Sequence, residues 1–196
     1  SRVKITDSYV PAGAKSFEVK SSKGFTVGDR IMVFRPGTES WIHDLQMDRI
    51  VEREGTRQWK AAEYNLNFER EITAIEGNKI SIDNPIVMAM ESRYGGGEVF
   101  KYEFQGRLKE VGIENILFES EYAGDTDEDH GWTAVEFDQI ENGWARNLTS
   151  RFFGYACVSL NGAAKNITVM DSKCLDAKSV ITGGRRYSFS NNGQQN

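Results

Sequence analysis

Three short segments of this chain repeat one pattern: Glu114-Asn115-Ile116-Leu117-Phe118, Arg146-Asn147-Leu148-Thr149-Ser150 and Lys165-Asn166-Ile167-Thr168-Val169. Each sets a charged residue and an asparagine ahead of a short β-prone run. The asparagines are 32 and then 19 residues apart, which brackets the rung of roughly 20 to 30 residues that coils a β-solenoid. A second marker keeps the same order. Ala134-Val135-Glu136-Phe137 and Cys157-Val158-Ser159-Leu160 alternate as strands, 23 residues apart, one ahead of each of the last two asparagine segments. Stacked coils follow from two markers repeating in one order. In a parallel β-helix each rung lays its equivalent residue on the rung below, so an asparagine at a bend can hydrogen-bond along a ladder of its copies.

Composition agrees with an all-β chain. Nineteen glycines, eleven phenylalanines, seven tyrosines and four tryptophans accompany only three prolines in 196 residues, a balance suited to many tight turns between strands. The net charge of −5, with both signs interspersed, leaves no basic patch of the density that nucleic acid demands. No apolar run reaches the length of a membrane span, and Ser1-Arg2-Val3-Lys4 carries no signal-peptide pattern. Cys157 and Cys174 each sit near an apolar strand position, which favours two buried free thiols over a disulfide or a metal pair. A solenoid needs capping ends. The polar start and a finish directly after Tyr187-Ser188-Phe189 therefore suggest a fragment of a longer protein.

Residues 1–104 differ from residues 105–196. Ser16–Lys20 and Arg30–Phe34 alternate as strands separated by Gly24 and Gly28-Asp29, a barrel-like or hairpin punctuation. Trp41–Glu54 has loosely helical spacing, and Thr56–Tyr64 adds another turn of helix. Glu71–Ile75 and Lys79–Asp83 flank Glu76-Gly77-Asn78, expected to be a three-residue hairpin loop. Val99–Phe104 alternates as a further strand. From Gly106 the rungs take over, and the segment Ser120–Gly131 interrupts them. A rung of about 23 residues plus roughly nine inserted ones accounts for the long first interval, and solenoid insertions collect on the binding face.

Longer strings carry a resemblance. Val27-Gly28-Asp29-Arg30, the run Glu69–Asn78, Arg93-Tyr94-Gly95-Gly96-Gly97 and Asp127-Glu128-Asp129-His130-Gly131-Trp132, together with the Asn-Ile/Leu rungs, resemble right-handed parallel β-helix proteins of the pectate-lyase-like superfamily, particularly secreted bacterial members. The resemblance covers most of the chain. It implies a β-rich module interrupting an early turn of the helix, coils continuing past Arg185–Phe189, and a secreted, periplasmic or cell-surface location. The superfamily includes lyases, hydrolases, epimerases and phage tailspikes, so fold is implied more firmly than activity.

The candidate chemistry collects on the inserted loop. Asp125, Asp127 and Asp129, beside Glu128 and His130, offer hard oxygen ligands of the kind that hold Ca²⁺, which similar β-helix lyases use to neutralise a uronate carboxylate; the alternative is a solvated acidic loop. His130, Arg151 and Lys173 are the candidate catalytic residues for proton abstraction and stabilisation of the enolate-like intermediate. Trp132 and Trp144 could stack on sugar rings, with Tyr155 as a further aromatic, and Arg93 and Arg185 could recognise a sugar carboxylate or sulfate. At least one of Phe152 and Phe153 is expected in the core. Asn147-Leu148-Thr149 and Asn166-Ile167-Thr168 match the glycosylation pattern, but their recurrence on equivalent rungs favours the ladder. The sequence therefore leads to a β-rich module followed by three to four β-helix rungs from a polysaccharide-acting protein. The leading activity is that of a lyase on an acidic glycan, with glycoside hydrolysis second. The rivals are a non-catalytic carbohydrate-binding or adhesin module of the tailspike kind, and an inactive fragment.

Overall fold

The structure, a computed structural model, describes residues 2–196. The chain divides into two compact units, Ser1–Glu103 and Phe104–Asn196.

The first unit is built from β1 (Val3–Lys4), β2 (Tyr9–Val10), β3 (Ser16–Glu18), β4 (Arg30–Arg35), β5 (Leu66–Glu76), β6 (Lys79–Ile82), β7 (Met90–Glu91) and β8 (Glu98–Lys101). Six of them form one antiparallel sheet in the order β1-β8-β4-β5-β6-β3. Ile5 bridges Val19, and the Thr6 and Lys20 amides donate to the Glu18 and Lys4 carbonyls at 2.9 Å, so the sheet closes on itself and leaves no free edge there. Alternation along the strands turns Phe17, Ile31, Val33, Ile72, Ile80, Ile82 and Val99 into one core. Strand β5 is twice the expected length because residues Leu66–Glu71 pair with β4, and Arg70 within it is buried and spends its guanidinium on the Asn84, Glu69 and Pro85 carbonyls at 2.9, 2.6 and 2.6 Å. The hairpin turns on two residues rather than three. Glu76 pairs with Lys79, and Gly77 takes the positive φ of 63° that such a turn requires. The stretch expected to be helical keeps only α1 (Glu39–Asp44) and a single 3₁₀ turn, Ala61–Tyr64.

The second unit is a parallel β-helix. Its strands are β9 (Leu108–Lys109), β10 (Gly112–Glu114), β11 (Leu117–Glu119), β12 (Thr133–Phe137), β13 (Ile140–Arg146), β14 (Thr149–Arg151), β15 (Ala156–Leu160), β16 (Lys165–Met170), β17 (Lys173–Leu175) and β18 (Phe189–Asn191). Three parallel sheets, β10-β13-β16, β11-β14-β17 and β12-β15-β18, form its faces. Register stacks like on like: Ile113, Ala145 and Val169 make one inner column, and Phe118, Ser150 and Cys174 another. With Phe137, Leu148, Val158, Leu160 and Ile167 they fill the coil. Cys157 and Cys174 remain free thiols, the first buried and the second half-buried. Cys157 donates to the Lys173 carbonyl at 3.3 Å, and its contact with Cys174, together with burial, pushes its thiol up. Phe152 and Phe153 are both half-exposed and lie outside the core, contrary to the expectation for at least one of them.

The asparagine ladder exists, with one change of membership. Asn147 donates its side-chain amide to Asn115 at 2.8 Å, and both take a left-handed backbone, with φ of 52° and 59°. The third place in that column belongs to Asp171, because Arg146 pairs with Met170. Asn166 stands in a different column, donating to Asn142 at 3.2 Å, while Asn142 donates to Glu110 at 3.0 Å. The interval from Asn142 to Asn166 is 24 residues, and that is the true rung. Asn and Asp are the side chains that tolerate this backbone most readily, and one such residue is enough to turn the chain from one sheet to the next. Asn147→Ala is therefore expected to lose both the ladder hydrogen bond and the compatible backbone, about 2 kcal/mol. Asn147→Gly keeps the backbone and should lose about half as much. Urea unfolding of the two variants checks the order, and equal losses would remove the conformational part of the explanation.

Candidate functional site

Insertions leave a β-helix only at its corners, because the strands themselves are locked in register. Between β11 and β12 the chain runs out through residues 120–132. One rung on, the corner between β14 and β15 is only Phe152–Tyr155. On the next rung it runs out again through residues 176–188. The interval from Val158 to its partner Phe189 is 31 residues against 23 from Val135 to Val158, so a second insertion matches the one expected from sequence.

The two long loops are tied to each other over the short corner. Lys178 Nζ donates to Asp125 at 2.6 Å. The Arg185 guanidinium engages Glu128 through Nε and, at 2.9 Å, through Nη2. The Val180 amide also donates to Glu128 (3.3 Å), and Arg186 reaches the Asp125 carbonyl at 3.4 Å while donating to Ser179 O at 2.7 Å. Lys178 and Arg185 hold the Asp125 and Glu128 carboxyls below the usual carboxylate range. Asp127 is held low by accepting the Ala123 and Asp129 amides at 2.8 and 2.9 Å.

These pairings bear on a calcium ion at this loop. The three aspartates expected to bind a metal are directed to different partners: Asp125 to a lysine, Asp127 to backbone amides, and Asp129 to an exposed position on the loop. Among the described residues no three His, Cys, Asp or Glu side chains converge as a metal site would require, so the residues present do not fit a calcium ion.

His130 is buried, with 3% of its side chain exposed. Its Nε2 donates to the Phe152 carbonyl at 2.6 Å, and its Nδ1 has no hydrogen-bond partner among the described residues, lying 4.0 Å from Asp127. That carbonyl belongs to a phenylalanine held at φ 72°, a backbone that bulky residues rarely adopt. Arg151 (4.6 Å) and Tyr122 (5.0 Å) pack on its ring. Arg151 also bridges Glu119 at 3.0 Å and Asp176 at 3.5 Å. Lys173 is exposed on β17, aligned with Thr149 of β14. The three residues expected to supply a base thus have separate tasks, and no shared substrate-facing arrangement unites them.

Aromatic residues do converge. Trp132 stacks on Tyr155 with centroids 6.1 Å apart and planes 16° from parallel, and Tyr187 meets Tyr155 edge-on at 5.6 Å. The three come from three successive rungs. Trp132 is 38% and Tyr187 48% exposed, and Arg185 lies 5.9 Å over the Trp132 ring. Gly154 makes the stack possible: a Cβ there would come within 2.5 Å of the indole. Trp132 and Arg185 were expected at a site and are brought together. Tyr187 and Gly154 were not anticipated, although the second long interval and the Gly183-Gly184 turn could have pointed to the loop that carries Tyr187.

The remaining candidates lie elsewhere. Trp144 is on the face of β13, flat over Gly112, donating to Glu114 at 2.6 Å; Arg146 and Trp144 hold the Glu114 carboxyl low. Arg93 belongs to the first unit, pairs with Glu91 at 2.8 Å and covers Tyr94. An apolar hollow of about 400 Å³ on the last rung is lined by coil-interior residues such as Val158, Leu160, Ile167 and Phe189, and carries none of the cations or aromatic stacks of the two-loop corner.

No protein-family model matches the chain, and no curated protein matches it. Solved structures with a related backbone include the tailspike protein gp49 from Pseudomonas phage LKA1, at 14% identity and a TM-score of 0.45, covering 100% of this chain and 38% of that one. The tailspike gp61 of Pseudomonas phage phi297 follows at 12% and 0.36, covering 87% and 31%. The gp54 tailspike of Acinetobacter baumannii bacteriophage AP22, solved in complex with A. baumannii capsular saccharide, is similar at 13% and 0.38, covering 88% and 34%. The chain spans about a third of the length of these proteins.

The loop-to-loop ion pairs set a pH dependence. Asp125 and Glu128 have lower pKa values folded than unfolded, so their contribution is complete above the ordinary carboxylate range, roughly pH 4. It disappears as pH falls through the depressed values. Hydrogen exchange of the peptide 176–188, corrected for intrinsic rates, should stay slow down to about pH 5 and accelerate below about pH 4. Unchanged protection at the lower pH would show that the ion pairs do not hold the loops.

Proposed function

We propose that the β-helix unit binds polysaccharide on the aromatic column Trp132–Tyr155–Tyr187 at the two-loop corner. One observation carries this reading: three aromatic side chains from successive rungs meet at the surface, two of them more than a third exposed. A stack that only filled the coil would be covered. An exposed stack beside fixed hydrogen-bonding groups suits the apolar face and hydroxyl edge of a sugar ring. A long repeating ligand also suits a surface that itself repeats along the helix axis, and such a ligand puts the working surface outside the membrane, in a secreted or cell-surface protein.

Binding, rather than lyase turnover on an acidic glycan, is the activity the geometry favours. Elimination needs a base open to the substrate and a cation beside it. His130 is buried and bonded, Arg151 is committed to two carboxylates, and the aspartates do not assemble a metal site. Among the described residues no helix is long and apolar enough to cross a membrane.

Calorimetric titration with a panel of polysaccharides tests the reading. Trp132→Ala should weaken binding tenfold or more, about 1.4 kcal/mol, while Trp144→Ala leaves it within about twofold, and no unsaturated product should accumulate. Equal loss in both variants would remove the column as the site, and unsaturated product would replace binding with lyase chemistry.

A further inference from the structure

Resting on that reading, we infer that the saccharide bound at the two-loop corner is uncharged, in place of the acidic glycan implied by resemblance. Charge balance at the corner excludes an acidic ligand. Residues 120–131 and 176–188 contain six carboxylates, Glu121, Asp125, Asp127, Glu128, Asp129 and Asp176, against three cations, Lys178, Arg185 and Arg186. Each cation already has an acceptor: Lys178 has Asp125, Arg185 has Glu128 on two nitrogens, and Arg186 has the Ser179 and Asp125 carbonyls. The short corner between the loops, Phe152–Tyr155, adds no charge. A uronate or sulfate approaching Trp132 would therefore meet a net negative surface, and it could take the two-nitrogen grip on Nε and Nη2 of Arg185 only by displacing Glu128, which costs the ion pair and both hydrogen bonds.

An uncharged sugar faces neither obstacle. Its C–H face can lie on the aromatic column, and its hydroxyls find both kinds of partner. Arg185 has five N–H donors. Two nitrogens serve Glu128 and Nη1 serves the Gly183 carbonyl at 3.3 Å, which leaves two N–H groups for hydroxyl oxygens. The Glu128 and exposed Asp129 carboxylates accept from hydroxyl protons. Glu128 thus acts as a specificity residue: it occupies the place a substrate carboxylate would take and keeps Arg185 as a neutralised, oriented donor.

The test is calorimetric titration of the chain with two ligand classes, at ionic strengths of about 0.02 M and about 0.5 M. The uncharged set is oligosaccharides of dextran, amylose and galactomannan; the acidic set is oligosaccharides of polygalacturonate and alginate. The expected result is binding of an uncharged member that changes less than about twofold with salt, and acidic binding at least tenfold weaker. Glu128→Gln, which keeps a neutral acceptor for Arg185 and Val180, should raise affinity for the acidic set several-fold by removing the carboxylate charge that neutralises the guanidinium. Salt-sensitive binding of the acidic set, with none of the uncharged set, would overturn the inference and leave the polysaccharide reading standing. An unchanged acidic affinity in Glu128→Gln would also overturn it. Failure of both sets to bind would overturn the inference and the reading together.

Discussion

Rung-to-rung backbone hydrogen bonding is the constraint from which the rest of the second unit follows. Parallel pairing between β10, β13 and β16, and between their equivalents on the other two faces, fixes which residue lies over which. A strand cannot absorb an extra residue without reversing its inward and outward sides. Length variation is therefore expelled to the corners, and here it leaves at one corner on two rungs while the rung between stays short. The short corner is as important as the loops, because Gly154 leaves room for the Trp132 ring and the carbonyl of the strained Phe152 anchors His130.

Electrostatics then gives the expelled loops a defined shape. Surface ion pairs taken singly contribute little to stability. These pairs join two segments that have few buried apolar contacts of their own, so their effect is on the conformation of the corner more than on the fold. Asp125, Asp127 and Asp129 look like a metal site in one dimension. In three, Asp125 turns to a lysine, Asp127 to backbone amides and Asp129 to solvent.

Much of the fold was legible in the sequence because backbone pairing leaves periodic traces. The Asn115–Asn147 step and the Val135–Val158 step both correspond to real rungs. The third asparagine misled for a physical reason. A left-handed corner accepts Asp as readily as Asn, so Asp171 took the expected slot, while Asn166-Ile167-Thr168 copied the local string of Asn147-Leu148-Thr149 from another column. The extra length of β5 was hidden by Arg70, whose charge is satisfied by carbonyls that only tertiary structure brings near. At the site, Trp132 and Arg185 were visible as residue types beside an insertion. Their meeting was not, since it depends on Gly154 and on a second long loop that the asparagine repeat does not mark.

The proposed ligand surface is the aromatic column of the two-loop corner. Nuclear magnetic resonance can follow the four tryptophan indole N–H signals separately during titration with a saccharide that binds. The account predicts that the Trp132 signal moves along the binding isotherm while that of Trp144, bonded to Glu114 on another face, stays in place. Movement of Trp144 with Trp132 unchanged would contradict it.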